Sequence, residues 1–264
     1  MKSVYVGALV GLFALGALAQ GPRGGMGPGG GFGGGPFGGP RGPLVTGSPV
    51  TATLQTTTTQ TLADGNTINN SNTSQFARDT QGRTWTQQTV NRLGPWSTST
   101  GPKIMIFITD PVAGFAYTLD PSTNTAIQRA IPTGQGRGLG RGQGKGAGGA
   151  NNNANVQKTT LPGPPDPSLN LPSSLNLTGT MTTHTIPPNT VGNAQAIVDT
   201  TESWYSAVLQ MVVYRKHVDP RSGLMVFQMT NIQPGDPQAS LFTVPSNYTI
   251  KTAPTRPAVT VQPQ

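Results

Sequence analysis

The sequence predicts a mainly β protein, built as a single antiparallel sheet that is curved or forms a half-barrel, with a disordered glycine-rich tail and insertion. Two observations lead to this fold class. Runs rich in β-branched residues alternate with tight Asp-Gly and Asp-Pro turns along residues 44–132 and 159–251. No window repeats apolar residues at helical spacing for more than a turn or two. Neither segment carries many strands, so we expect the two to complete one sheet together.

Residues 1–19 have the features of a secretory signal peptide. The segment MKSVYVGALVGLFALGALA contains one lysine, an apolar run and an Ala-x-Ala cleavage signal before Gln20. The apolar run is short for a membrane span, which needs about 20 residues. We therefore expect an exported protein, periplasmic or extracellular, with no transmembrane span once the signal is cleaved.

Glycine-rich composition marks the parts of the chain that we expect to be disordered. Residues 20–43 contain 13 glycines and 5 prolines, and nine of the eighteen residues 133–150 are glycine. Such segments bury too little apolar surface to offset the entropy of an ordered backbone. We predict a disordered tail at 20–43, a disordered basic insertion at 133–158 and a disordered C-terminal tail at 252–264.

The positive charge of the chain is concentrated in those flexible parts. The formal net charge is +8, yet residues 44–132 hold five basic and four acidic residues, and residues 159–251 hold four basic and five acidic ones. The predicted β segments are therefore neutral together. Contact with anionic polymers would belong to the tails and the insertion. We do not expect a nucleic-acid partner, because residues 133–158 contain no aromatic side chain for base stacking.

The first β segment opens with a meander. In residues 50–62, VTATLQTTTTQTL, apolar residues alternate with threonines before the hairpin signal Asp64-Gly65. The runs TINNSNTSQFAR and RTWTQQTV follow. KIMIFIT is apolar without interruption, which predicts a strand covered on both faces, and FAYTL follows the turn DPVAG. We therefore take residues 103–119 as the central hairpin of the core.

The second β segment opens with a proline-rich stretch that we expect to be extended, LPGPPDPSLNLPSSLNLTG. Strand-like runs then follow in TMTTHTI, AIVDTTESWY, LQMVVYRKHV and LMVFQMTNI. The turn DPRSG joins the last two runs. Leu241, Phe242 and Val244 form a final apolar edge near the end of the segment.

The motifs that would carry chemistry are weak. GKGAGG at 144–149 fits a glycine-rich phosphate pattern, but no strand precedes it and no helix follows it, so we treat it as a chance match. His184 and His217 do not have the spacing of metal ligands. The chain has no cysteine, which excludes disulfides and thiolate ligands.

Catalytic residues are equally scarce. His217 and Asp219 point the same way on a strand, but no G-x-S-x-G nucleophile accompanies them. Glu202 stands near Trp204, where we expect a strand-face residue with a structural partner. We predict no catalytic residue, no cofactor and no metal, and hence no enzyme.

Longer stretches carry two resemblances. ESWYSAVLQMVVYRKHVDPRSGLMVFQMTNIQPGDPQASLFTVPSNYTI, with LADGNTI, RDTQGRT and ITDPVAGFAYTLDPSTNTA, resembles uncharacterised secreted proteins of acidobacterial-type soil bacteria over most of residues 50–251. The strand order and the closing LF-x-VP-x-x-Y are also similar to the periplasmic lipoprotein-sorting carriers of the LolA/LolB-like fold. That second resemblance implies a curved antiparallel sheet over an apolar cavity. The chain departs from it by its glycine-rich insertion and its lack of cavity helices.

Together these features predict an exported, non-enzymatic envelope protein that binds a hydrophobic ligand or a partner on a curved sheet. Acyl chains or envelope proteins would be its partners. The alternative is a structural or matrix protein that acts on anionic polymers through its basic glycine-rich segments. The candidate apolar residues either line an open cavity or fill a closed core. They are Ile104, Ile106, Ile108, Phe115, Tyr117, Met211, Val213, Met225, Phe227 and Met229.

Overall fold

The computed structural model describes residues 44–90, 101–131, 155–163 and 165–253. Within these residues the chain forms one sheet of twelve strands that is not closed into a barrel. The mainly β fold class is thereby confirmed. The strands are β1 Val50–Thr61, β2 Thr67–Arg78, β3 Thr84–Val90, β4 Lys103–Asp110, β5 Phe115–Asp120, β6 Thr125–Ala130, β7 Val156–Leu161, β8 Leu177–Ile186, β9 Ile197–Ser206, β10 Met211–Asp219, β11 Gly223–Pro234 and β12 Thr249–Thr252.

The strand order shows how the two β segments combine. It is β12-β6-β5-β4-β3-β2-β1-β11-β10-β9-β8-β7, so β1 of the first segment pairs with β11 of the second. The prediction of one shared sheet is confirmed. The predicted central hairpin is wrong in position, because β4 and β5 lie toward the β12 edge. Met105 and Ile108, on opposite faces of β4, are 4 % and 1 % exposed. Burial on both faces therefore explains the apolar run, although β4 does not lie at the centre of the sheet.

Two further details differ from the predictions. Strands β6 and β12 run parallel, whereas every other described pair is antiparallel. Parallel neighbours need a crossover, and residues 235–248 provide it by passing over the sheet between β11 and β12. Strand β7 begins at Val156, inside the insertion predicted to extend to residue 158. The β-branched run from Thr159 pairs with β8, and that ladder continues back to Val156.

Aspartates organise the turns between strands, as the Asp-Gly and Asp-Pro signals predict. Asp64 accepts the backbone N–H of Asn66 at 2.9 Å. Asp110 accepts those of Val112 and Ala113 at 2.9 and 2.8 Å. A side-chain acceptor two residues before a backbone donor closes the turn locally. These carboxylates therefore stabilise the hairpin turns in which they lie.

The ladder register gives the sheet two chemically different faces, because directly paired residues point to the same side. One face contains Leu54 and its partner Met229; we call it the methionine face. The other contains Thr53 and its partner Gln75; we call it the threonine face. The register of β1 against β2 is unbroken, so this division holds along the whole of β1.

Two irregular segments cross the threonine face. Residues 165–176 lie near β11, where Gln228 Nε2 donates to the carbonyl of Leu169 at 3.4 Å. Leu169 and Leu171 pack there on the cluster that contains Trp204. Residues 235–248 lie over the other end of the sheet, on a smaller cluster described below. The centre of the face, along β1 and β2, lies between these two crossings.

Candidate functional site

The register separates the ten candidate apolar residues into two groups. Those of β4 and β5 share the threonine face with Trp85, which pairs with Ile108. Those of β11 share the methionine face with Leu54. The threonine face holds Ile104, Ile106, Ile108, Phe115 and Tyr117. The methionine face holds Met225, Phe227 and Met229.

The two remaining candidates lie at an irregular place in β10. The register of β10 against β9 shifts between Val212 and Tyr214, so Val213 is the extra residue of a β-bulge and Met211 lies beyond it. Both side chains are buried in the cluster that contains Phe227 and Met229. The ten side chains therefore do not form one continuous surface, and their role in binding stays a prediction.

The candidates of β10 and β11 are mostly core. Met211, Val213, Phe227 and Met229 are between 0 and 3 % exposed, and Met225 is half-buried. Four of the five thus have almost no surface to offer a ligand in this conformation. Strand alternation leaves open whether these residues line an open cavity or fill a closed core. Their burial fits the closed core.

Three of the five β4 and β5 candidates belong to a second, smaller cluster, whereas Ile104 and the half-buried Phe115 lie outside it. Ile108 is fully buried there with Leu119 and Ala126, and Val244 and Tyr248 of the 235–248 crossing pack on it. In the same cluster, Ile106, Tyr117 and Trp85 are partly buried. Ile104 differs from its neighbours because 52 % of its surface is exposed. The cluster anchors the crossing segment, and Trp85 at its edge is partly exposed.

A groove lies beside this anchored segment, on the threonine face over β1, β2 and β11. It has a volume of about 460 Å³. Trp85 and Leu241 form its apolar end, and hydroxyl and amide side chains continue from there across the sheet. The residues that line it are Thr51, Ala52, Thr53, Gln75, Phe76, Ala77, Trp85, Asn231, Gln233 and Leu241.

A β-bulge shapes the groove. The register of β1 against β11 shifts between Thr51 and Thr53, where β11 inserts one extra residue. Asn231 lies in that insertion with a φ of 51°, a conformation that asparagine tolerates better than most residues. Its side-chain Nδ2 donates to Oγ1 of Thr53 at 3.3 Å. The bulge thereby directs an amide onto the floor of the groove.

A smaller hollow of about 160 Å³ continues the groove toward β3 and β4. It shares Gln75 with the groove and ends at Ile104. Every residue that lines either space is uncharged. Its lining residues are Thr73, Ser74, Gln75, Gln87, Gln88, Thr89 and Ile104.

Charged side chains on the segments that flank the groove are paired. Arg83 donates to Asp79 at 2.6 Å, and its guanidinium lies 5.1 Å from the ring centre of Phe242. Asp236 accepts the backbone N–H and the hydroxyl of Thr80 at 2.9 and 2.6 Å. These hydrogen bonds lower the pKa of Asp236. Paired charges of this kind leave the groove itself electrically neutral.

Both histidines lie on the methionine face, each beside a polar side chain. His184 Nδ1 lies 2.9 Å from Asp199 Oδ2, and His217 Nδ1 lies 2.9 Å from the hydroxyl of Thr201. Within the described residues, no group of three or more acidic or histidine side chains could hold a metal ion. Both histidines thus have structural neighbours.

Glu202, the remaining candidate acid, also has the structural partner that its position predicts. Its Oε1 accepts the indole N–H of Trp204 at 2.6 Å. The two side chains share one face of β9, where residues two apart point the same way. The carboxylate therefore orients a buried indole, which is a packing role.

Asp219 gives the fold a predictable response to acid. Two hydrogen bonds from the guanidinium of Arg221, at 3.0 and 2.9 Å, and one from its backbone N–H, at 2.8 Å, lower the pKa of Asp219, although burial opposes the shift. A carboxyl whose folded pKa is depressed stabilises the fold above its unfolded pKa, about 3.9, and loses that contribution as pH falls through the folded value. We expect Asp219→Asn to lower Tm at pH 6 and to reduce the fall in Tm between pH 4 and pH 2.

Thermal unfolding followed by circular dichroism across that pH range measures this effect. Arg221→Gln, which removes the charged guanidinium and keeps the carboxylate, should flatten the same part of the profile. Parallel profiles for the wild type and both variants would show that the Asp219–Arg221 pair adds nothing to acid sensitivity.

Sequence reasoning did not single out the groove. Its central residues belong to strands that the sequence predicts, but Gln75 on β2, Trp85 on β3 and Gln233 on β11 are far apart in the chain and meet only through the register. The available signal was the alternation in RTWTQQTV, which places Trp85 and Gln87 on the same side of a strand. The glycine-rich match at 144–149 and the basic residues of the predicted tails lie outside the described residues.

Comparisons with known proteins give distant similarities. No protein-family model matches the chain, and no curated protein matches its sequence. An uncharacterised conserved protein from Thermus thermophilus has a TM-score of 0.38 and 8 % identity, covering 78 % of this chain and 91 % of that one. A LolA superfamily protein from Nitrosomonas europaea has a TM-score of 0.30 and 9 % identity, covering 75 % and 91 %.

A third solved structure, a DUF1329 family protein from Desulfovibrio piger, has a TM-score of 0.20 and 8 % identity, covering 75 % of this chain and 90 % of that one. Because all three TM-scores are below 0.5, these similarities carry neither a fold nor a function over to this chain. The resemblance to acidobacterial-type secreted proteins stays a prediction. Within the described ranges, no helix has the length and apolar character that a membrane crossing requires.

Proposed function

We propose that this chain is an exported, non-enzymatic envelope protein that binds an uncharged ligand in the groove of the threonine face. The observation that supports the proposal is the lining of the groove, in which an apolar end at Trp85 and Leu241 adjoins hydroxyl and amide side chains with no charged group. Binding sites combine apolar surface with a few placed polar groups in this way.

The same lining favours binding over catalysis. None of the side chains that line the groove is a carboxylic acid, a histidine or an amine, so none can act as a strong general acid or base near neutral pH. The threonine hydroxyls there lack an adjacent base to activate them. A groove without proton-transfer groups holds a ligand and does not transform it.

The groove is also a better candidate for the binding surface than the ten predicted apolar residues. Met229 and Phe227 are buried, and Ile108 lies under the crossing segment, whereas Leu241 and Trp85 are partly exposed beside open space. An acyl chain or a polymer could enter here without unfolding the sheet. The matrix-protein alternative depends on residues outside the described part of the chain.

A charge placed in the groove tests the proposal. We expect Leu241→Glu to abolish co-purification of a bound ligand, because a carboxylate beside Trp85 would have to lose its hydration to admit an uncharged molecule. Val112→Glu, on a turn residue that is 65 % exposed, is the matched control. Protein purified from its native source is extracted with organic solvent, hydrolysed, and analysed by mass spectrometry for acyl chains and sugars.

A ligand present in stoichiometric amount in the wild type and in Val112→Glu, and absent from Leu241→Glu, supports the groove as the binding site. Equal amounts in all three proteins would place the ligand elsewhere. A wild-type protein without any ligand would argue against carriage in this groove.

A further inference from the structure

We infer that the ligand of this groove is an uncharged polysaccharide, held across the strands along the line from Leu241 to Ile104. This inference rests on the proposed function and adds the chemical class of the ligand. It depends on three features of the described residues, namely a continuous polar row, unpaired amides and one aromatic face.

The polar row crosses neighbouring strands in register. Gln87 of β3 pairs with Gln75 of β2, and Gln75 pairs with Thr53 of β1. On β11 the row ends at Asn231, whose side chain donates to Thr53. Strands lie about 4.8 Å apart, so the row from β3 to β11 extends over about 14 Å. It joins the groove to the smaller hollow through Gln75. A row of that length suits a chain molecule better than a compact one.

Hydrogen bonds hold part of this row in place and leave the rest available. The hydroxyl of Thr53 donates to Oε1 of Gln75 at 3.3 Å, and Asn231 Nδ2 donates to the same hydroxyl at 3.3 Å. The side-chain amides of Gln87, in this row, and of Gln233, which pairs with Thr51 in the neighbouring row, make no hydrogen bond within the described part of the chain. An amide offers two donors and one acceptor, which matches the mixed donors and acceptors of sugar hydroxyls.

Trp85 provides the apolar surface that such a ligand needs. One part of its indole packs on the Ile108 cluster, which fixes the ring, and the remainder lines the groove. A sugar ring presents hydroxyls at its edge and C–H groups on its faces, so a fixed indole can cover a face while amides contact the edge. Leu241 extends this apolar end.

An acyl chain fits the same surface less well. It would remove water from Thr51, Thr53, Gln75 and Gln233 without offering them a hydrogen bond, and each unsatisfied polar group opposes binding. A charged polymer would find no counter-charge in the lining. The observations therefore favour a ligand that is polar, neutral and extended.

Affinity electrophoresis tests this inference with the purified full chain in native gels that contain a β-glucan, an α-glucan or a galactomannan. We expect at least one of these neutral polysaccharides to retard the protein. Trp85→Ala should weaken binding at least about tenfold. Because Trp85 also packs on a core cluster, the double variant Gln75→Ala/Gln233→Ala is tested in parallel. Both of its positions are exposed, so its fold should be retained.

Gln60→Ala is the matched control, since Gln60 is exposed on the opposite face of β1. A fluorescent fatty acid is titrated into the same proteins as the competing probe. Retardation that is lost in the double variant and kept in Gln60→Ala supports the inference. Fatty-acid binding that is lost in the double variant, without retardation by any glycan, would overturn the inference and sustain the proposed function. Binding of neither probe, or glycan binding unchanged in the double variant, would overturn the assignment of a glycan to this groove.

Discussion

Replacing Arg78 with methionine is expected to destabilise the fold by about 3 kcal/mol. Arg78 is 4 % exposed, and its guanidinium donates to the carbonyl of Ser48 through Nε at 3.0 Å and Nη2 at 2.7 Å. Nη2 also donates to the carbonyl of Leu209. One side chain thus ties the entry to β1, the end of β2 and the turn between β9 and β10.

The size of this effect follows from what methionine leaves behind. Both carbonyls would lose their partner in a buried place, and an unsatisfied buried acceptor costs about 1–3 kcal/mol. Burial lowers the pKa of Arg78, so removing the charge also relieves some desolvation. That relief offsets only part of the loss, because the two carbonyls stay buried after the substitution.

Urea unfolding followed by circular dichroism measures the free energy of unfolding. Arg129→Met, on an exposed arginine of β6, should change stability by less than about 0.5 kcal/mol. Arg78→Lys keeps the charge but has no planar fork to reach both carbonyls, so we expect only partial recovery. An Arg78→Met protein as stable as Arg129→Met would show that the network is not needed for the fold.

Much of the fold could be predicted from the sequence because strands and turns are local signals. The alternation of Val50, Ala52 and Leu54 and the Asp-Gly and Asp-Pro turns act over a few residues, and each appears in the structure. The place of β4 within the sheet could not be predicted in this way. The position of β4 depends on which strands pair across the whole chain. A strand buried on both faces has the same apolar sequence pattern wherever it lies in the sheet.

The candidate site shows the same limit more sharply. Alternation correctly groups Ile106 with Ile108, and Phe227 with Met229, but it does not say whether the two groups share a face. Only the register through β1, β2 and β3 shows that they lie on opposite sides. A shift of one residue in any of these ladders would exchange the faces, so no local pattern could have located the groove.

Adding a methyl group at Gly179 is expected to destabilise the fold by about 3 kcal/mol. Gly179 of β8 pairs with Trp204 of β9, and a Cβ atom there would lie 2.6 to 2.7 Å from three carbons of the indole ring. The ring cannot easily move aside, because Trp204 is 3 % exposed and its N–H donates to Glu202. Gly179→Ala must therefore displace a core side chain or the strand itself.

A double-mutant cycle separates this clash from any general intolerance of alanine in β8. Trp204→Leu should be destabilising alone, since it leaves a cavity in the core. Adding Gly179→Ala to Trp204→Leu should then cost little, because the methyl group enters the space that the indole has left. We expect a coupling free energy of about 2 kcal/mol by urea unfolding. Additive effects would show that Gly179 is required by its own backbone, and that its contact with Trp204 does not determine the stability of this part of the sheet.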